Sequence, residues 1–127
     1  MYHQIINFWF DEIEPSAWWK KDETFDALLI ERYAGLHKQA RNCVLYEWRK
    51  APEGRLAEII ILDQFSRNMF RDTPLAFATD SMSLALAQEA VALGADKPLT
   101  PVQRSFLYMP YMHSESLAIH EVAVELF

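Results

Sequence analysis

The sequence of 127 residues predicts an all-α fold built of antiparallel helical hairpins, a tetratricopeptide-like or α-α superhelical arrangement. Three observations lead there. Glycine occurs only three times. Apolar residues recur at three- and four-residue spacing, with no sustained period-2 alternation of Val, Ile and Thr of the kind that marks half-buried strands. Asp, Ser, Thr and Pro stand where helices should begin, dividing the chain into segments of roughly 10 to 20 residues whose short connections make successive helices antiparallel neighbours. Such segments build either a closed bundle or stacked hairpins of the solenoid type, and no clear 34-residue tetratricopeptide self-similarity is found.

Taken in order, Ile5, Ile6, Phe8, Trp9 and Phe10 define a first short helix that stops near Pro15. A second starts near Asp22 or Thr24 and carries Phe25, Leu28, Leu29, Tyr33, Leu36 and Ala40 on one apolar face. Pro52 opens a third, at a first-turn position where its missing N–H costs nothing. In it Leu56, Ile59, Ile60, Ile61 and Leu62 cover nearly the whole circumference, so the segment from Pro52 to about Phe65 is expected in the core. Asp80 is expected to cap a fourth helix through Leu84, Ala87, Ala90, Val91 and Leu93, ending at Gly94. Thr100-Pro101 begins a fifth, which Pro110 should kink or end, and Ser114 or Ser116 caps a sixth that runs to Phe127.

Half of the residues are hydrophobic (51%), enough for one domain over 1–127 with a real core. Cys43 is alone, so neither a disulfide within the chain nor a cysteine zinc site can form, and a cytoplasmic location is expected. The start, Met1-Tyr2-His3-Gln4, has no basic leader, and the apolar run near Ile59 is far below the ~20 residues a bilayer needs. Neither secretion nor a membrane partner is expected. The net charge of −6, with basic residues scattered in ones and twos, argues against nucleic acid as a partner.

Candidate chemistry concentrates in two places. Asp63, Arg67 and Arg71 are four apart and form one helical ridge, with Gln64 beside it and Asn68 further round. An Asp63–Arg67 ion pair would leave Arg71 a free guanidinium fork for a carboxylate or phosphate. The competing reading is that both arginines pair with acids of neighbouring helices and cap carbonyl groups. His113, Glu115 and His120 form the second concentration, beside Tyr108 and Tyr111. His120-Glu121 starts like HExxH, but Val124 stands where the second histidine belongs, and no metal site or cofactor is expected. No GxSxG elbow surrounds Ser114, and no glycine-rich phosphate loop can be written from three isolated glycines. The aromatics Phe8, Trp9, Phe10, Trp18, Trp19 and Trp48 read as core, with Trp18 or Trp19 half exposed.

Five motifs carry a resemblance over essentially the whole chain. They are Phe8-Trp9-Phe10, the run Pro52 to Ala57, the run Leu62 to Arg71, Ala76-Phe77-Ala78-Thr79-Asp80, and the run Tyr108 to Glu115. In this order they resemble the bacterial domain-of-unknown-function family 924, which implies a tetratricopeptide-like helical fold and names no reaction. The chain departs from that pattern at Ser66, where members usually have proline; here the third helix is free to run on and hold Asp63 and Arg67 in register. Members also generally continue beyond the equivalent of Phe127, so the resemblance implies that the family's C-terminal helices are lacking here.

The leading functional expectation is a protein that binds a small anionic ligand or a peptide in a concave pocket bordered by Asp63, Gln64, Arg67, Asn68, Arg71, His113 and Glu115, with no chemistry of its own. The alternative is a small-molecule hydrolase or lyase with His113 as base, Glu115 orienting it, and Arg67 or Arg71 holding an anionic substrate. A third reading is a purely structural oligomer. Leu117, Val124, Leu126 and Phe127 are expected to present apolar surface for a homodimer through the last helix.

Overall fold

The computed structural model describes residues 1–127 and contains six helices and no strand. Helix α1 is Tyr2–Asn7, continued by a π-helical turn at Phe8–Glu12, and a short 3-10 turn follows at Pro15–Trp18. Helix α2 spans Glu23–Arg41 and starts where the sequence predicts, because the Asp22 carboxylate accepts the Thr24 and Phe25 amides at 2.9 and 3.3 Å. Helix α3 runs over Pro52–Ile60, passes through a π-helical turn at Ile61–Phe65 and ends with Ser66–Met69. Helices α4, Asp80–Ala92, α5, Pro101–His113, and α6, Leu117–Leu126, complete the chain.

Helix α3 is the axis of the molecule and packs against α1, α2, α4 and α5. Its all-round apolar surface is the reason: Leu56, Ala57, Ile59, Ile60, Ile61, Leu62 and Phe65 are all fully buried. Gly54 sits where a Cβ would collide with the carbonyl of Trp48, so the 3-10 turn Tyr46–Lys50 lies directly on α3. That approach brings Arg49 onto the buried Glu58, with Nε and Nη2 each donating to one carboxylate oxygen at 2.8 Å.

The π turn shifts backbone bonding from i+4 to i+5, and side chains attend to its carbonyls. Ser66 Oγ and Thr79 Oγ1 both donate to the Leu62 carbonyl at 2.7 Å, and Arg67 Nη1 donates to the Asp63 carbonyl at 2.9 Å. Ser66 thereby spends its one proton, so the buried His37, 2.7 Å away, must be the donor through Nε2–H. A proline at position 66 would have no hydroxyl to offer. Serine there lets α3 continue to Met69, beyond the end expected near Phe65.

Other ends follow their local chemistry. Gly94, at φ +72°, closes α4 in a Schellman motif, its own amide bonding Val91 and that of Ala95 bonding Ala90. Thr100 and Gln103 form a reciprocal capping box on α5. Two expectations are corrected. Asp80 does not cap α4 through its side chain, because Arg67 holds that carboxylate; the helix begins on Asp80 with Thr79 at the cap position. Pro110 does not end α5, which continues to His113 before Ser114 leaves the helical region and Ser116 caps α6. On α6 and at its cap, Leu117, Val124 and Phe127 are 75%, 78% and 56% exposed, whereas Leu126 packs against the core. No helix is long and apolar enough to cross a membrane.

Gly54→Ala is expected to destabilise the protein by roughly 1–3 kcal/mol, since Trp48 backbone rather than a flexible side chain must give way; chemical denaturation measures it. Burial, reinforced by Arg41, holds the His37 imidazole below its ordinary pKa of 6.5. The unfolded chain therefore binds the proton first, and stability contributed by neutral His37 is complete above pH 6.5 and falls as pH drops below it. Denaturant midpoints across this range should fall with pH in the wild type and flatten in His37→Asn.

Candidate functional site

Of the ridge expected from the sequence, Asp63 and Arg67 stand one turn apart on α3 and pair, whereas Arg71 lies in the turn beyond the helix end at Met69. Asp63 lies within the π turn with its side chain only 1% exposed. Its carboxylate collects three partners: Gln64 Nε2 at 2.9 Å, Arg67 Nη1 at 3.1 Å and His113 Nδ1 at 2.8 Å. A buried charge needs this degree of pairing to be tolerated. His113 is the last residue of α5, so the bond to Asp63 pins the end of α5 against the middle of α3.

The two arginines behave as the competing reading had it. Arg67 Nη1 and Nη2 clasp the two oxygens of Asp80 at 2.9 and 2.8 Å, while the guanidinium lies 5.3 Å over the Phe77 ring. The expected free fork on Arg71 is absent: Nε and Nη2 donate to Asp26 at 2.8 and 3.2 Å, leaving Nη1 unpaired. Asp26 draws it because this acid sits on the buried face of α2 and needs a counter-charge; Asn68 Nδ2 donates to the same carboxylate at 2.9 Å. Its hydrogen bonds to the Asp26 carboxylate hold the Arg71 guanidinium above its already high pKa.

Glu115 does not orient His113. It is exposed and makes no hydrogen bond, and Asp63 takes the role expected of it. Tyr108 is committed elsewhere: its hydroxyl donates to the buried Asp96, and burial together with that carboxylate pushes its pKa up to about 12. No group of three His, Cys, Asp or Glu side chains is placed to hold a metal ion.

Two adjoining clefts open beside His113. The smaller, about 250 Å³, brings Gln64, Arg67, Asn68, Arg71 and His113 together under Trp18, Trp19 and Lys20. The larger, about 670 Å³, lies between α4 and the α5–α6 turn, where Glu115 joins Arg67, Asp80 and His113. Glu115 therefore borders the neighbouring cleft and not the one that holds the amides and Arg71. Asp63 lines neither cleft and is joined to both through His113 and Arg67. The sequence reading assigned Trp18 and Trp19 to the core rather than to a wall, and it did not single out Lys20 or name Asp26 and Asp80 as the counter-ions. Asp26 carried a signal, standing three and seven residues before the apolar Leu29 and Tyr33 on one helical stripe.

On this geometry the protein is an all-helical domain with a histidine–aspartate pair at the edge of a small polar cleft. Residues 5–127 match the family model described as bacterial protein of unknown function (DUF924). The chain belongs to that family. It is also similar to a solved structure of a protein of unknown function, ATU0120, from Agrobacterium tumefaciens, with 34% sequence identity and a TM-score of 0.94, over 98% of this chain and 70% of that one. No curated protein matches.

Asp63→Ala removes an acceptor shared by Gln64, Arg67 and His113, while Asp80 keeps Arg67 paired. We expect a loss of roughly 2–4 kcal/mol by denaturant unfolding; a change below about 0.5 kcal/mol would place the cluster in the class of exposed, weak pairs.

Proposed function

We propose that this protein binds a small anionic molecule beside His113 and that the imidazole moves a proton to or from it, as in a small-molecule hydrolase or lyase. One observation carries the reading: Asp63, buried and fully paired, holds Nδ1 of His113 at 2.8 Å, while Nε2 makes no hydrogen bond and is not buried. A carboxylate on one ring nitrogen fixes the tautomer and orientation and leaves the other nitrogen as the working base. The cations that remain to meet an anion are Lys20, which has no ion-pair partner, and the free Nη1 of Arg71.

Binding without chemistry, the leading expectation from the sequence, has less support, because the arginine forks on which it relied are already filled by Asp80 and Asp26. Diethyl pyrocarbonate, which acylates an accessible neutral imidazole, tests the reading when modification of the four histidines is followed by mass spectrometry. His113 should react faster than the exposed His3, succinate should protect it, and Asp63→Asn should slow it. Equal rates at His113 and His3, unaffected by succinate, would overturn the proposal. In a screen of small carboxylate-bearing esters and amides, any turnover found should fall by about 100-fold or more in His113→Gln.

A further inference from the structure

We infer that the ligand of the 250 Å³ cleft is a two-ended molecule, a small carboxylate whose other end carries a primary amide or amine. This rests on the reading of His113 given above and adds what the rest of the cleft recognises.

The orientation of two side-chain amides decides it. Gln64 and Asn68 each turn an NH₂ group to a carboxylate, Asp63 and Asp26, at 2.9 Å. An ionised carboxylate only accepts, so neither amide can flip, and the carbonyl oxygens of both must point the other way. The two residues are just 6% and 8% exposed, yet neither oxygen is sealed from solvent or hydrogen-bonded within the protein. Both residues line the cleft, as does His113, whose Nε2 accepts when Nδ1–H is given to Asp63. Three residues lining the cleft therefore each hold an unpaired acceptor. A purely anionic ligand would turn oxygen against oxygen there, whereas N–H donors satisfy them.

The opposite need arises at the rim. Lys20 and Nη1 of Arg71 offer donors with positive charge and no partner, the place for the ligand's carboxylate. Trp19, 67% exposed and stacked at 11° on Phe106, supplies a flat apolar wall to the cleft. A volume of 250 Å³ equals about eight waters at ~30 Å³ each, which limits the ligand to the size of an amino acid.

Titration calorimetry with the amic acids malonamate, succinamate and glutaramate, against the diacids and diamides of equal length, tests this. At least one amic acid should bind about tenfold or more tighter than its diacid, because a site with unpaired acceptors rejects the analogue that lacks the donor. Gln64→Met and Asn68→Leu each remove one acceptor and should erase that preference; either suffices if the other fails to fold. Lys20→Met, at an exposed position, should weaken amic acid and diacid alike and spare the diamide. Equal affinity for amic acid and diacid, with the His113 imidazole NMR signals moved by both, overturns this inference and leaves the His113 reading standing. Absence of binding by every probe, with His113 signals unmoved, overturns both.

Discussion

The structure turns on one buried carboxylate. Asp63 lies inside the most buried helix of the chain, where an unpaired charge would cost several kcal/mol. Its partners come from the next residue, from the next turn of α3 and from the end of α5, so neutralising it also decides where α5 stops. Arg67 passes the constraint on. Having met Asp63, it reaches Asp80 with both terminal nitrogens and draws the first residue of α4 to α3. Three helices are thus tied at one point by charge, while the apolar surface of α3 holds them along their length.

The same accounting explains what the cleft offers. Each arginine on or near α3 is taken up by an acid: Arg49 by Glu58, Arg55 by Glu89, Arg67 by Asp63 and Asp80, Arg71 by Asp26. Pairing of this kind is a packing device, and it removes the bidentate anion grip that the sequence pattern invites one to assign. What the residues lining the cleft have left over are the atoms not used in these pairs: the two amide oxygens, the second ring nitrogen of His113 and one guanidinium nitrogen. The site is made from the back sides of the interactions that hold the fold.

Much of this was legible in the sequence, and what was missed has physical causes. Helix positions followed from apolar spacing and from caps at Asp22, Thr100 and Ser116, which act within one turn and need no tertiary information. Asp63–Arg67 was within reach because i and i+4 are neighbours on any helix. The partner of His113 was not, since Asp63 is 50 residues away and Glu115 is only two. Local proximity favoured the wrong carboxylate. Asp80 reads as a cap from sequence because an acid at a helix start normally is one; its carboxylate is withdrawn from that role by an arginine 13 residues earlier. The π turn leaves no pattern of its own, and Ser66 alone hinted that α3 would run on.

Comparing the four histidines shows why the proposed chemistry is assigned to one of them. His37 is buried and gives its Nε2 proton to Ser66. His120 has Nε2 buried without a partner, so no substrate reaches it. His3 is exposed and stacks on Tyr2 at 4.2 Å, with no carboxylate to fix its tautomer. His113 alone joins a buried, fully paired acid on one nitrogen to an opening on the other. A proton acceptor in a site must be held in one orientation and still be reached, and these demands conflict for a side chain on a helix surface. Its place at the last turn of α5 resolves the conflict: the turn carries one edge of the ring down to Asp63 in α3, and the backbone departs at Ser114 without covering the other.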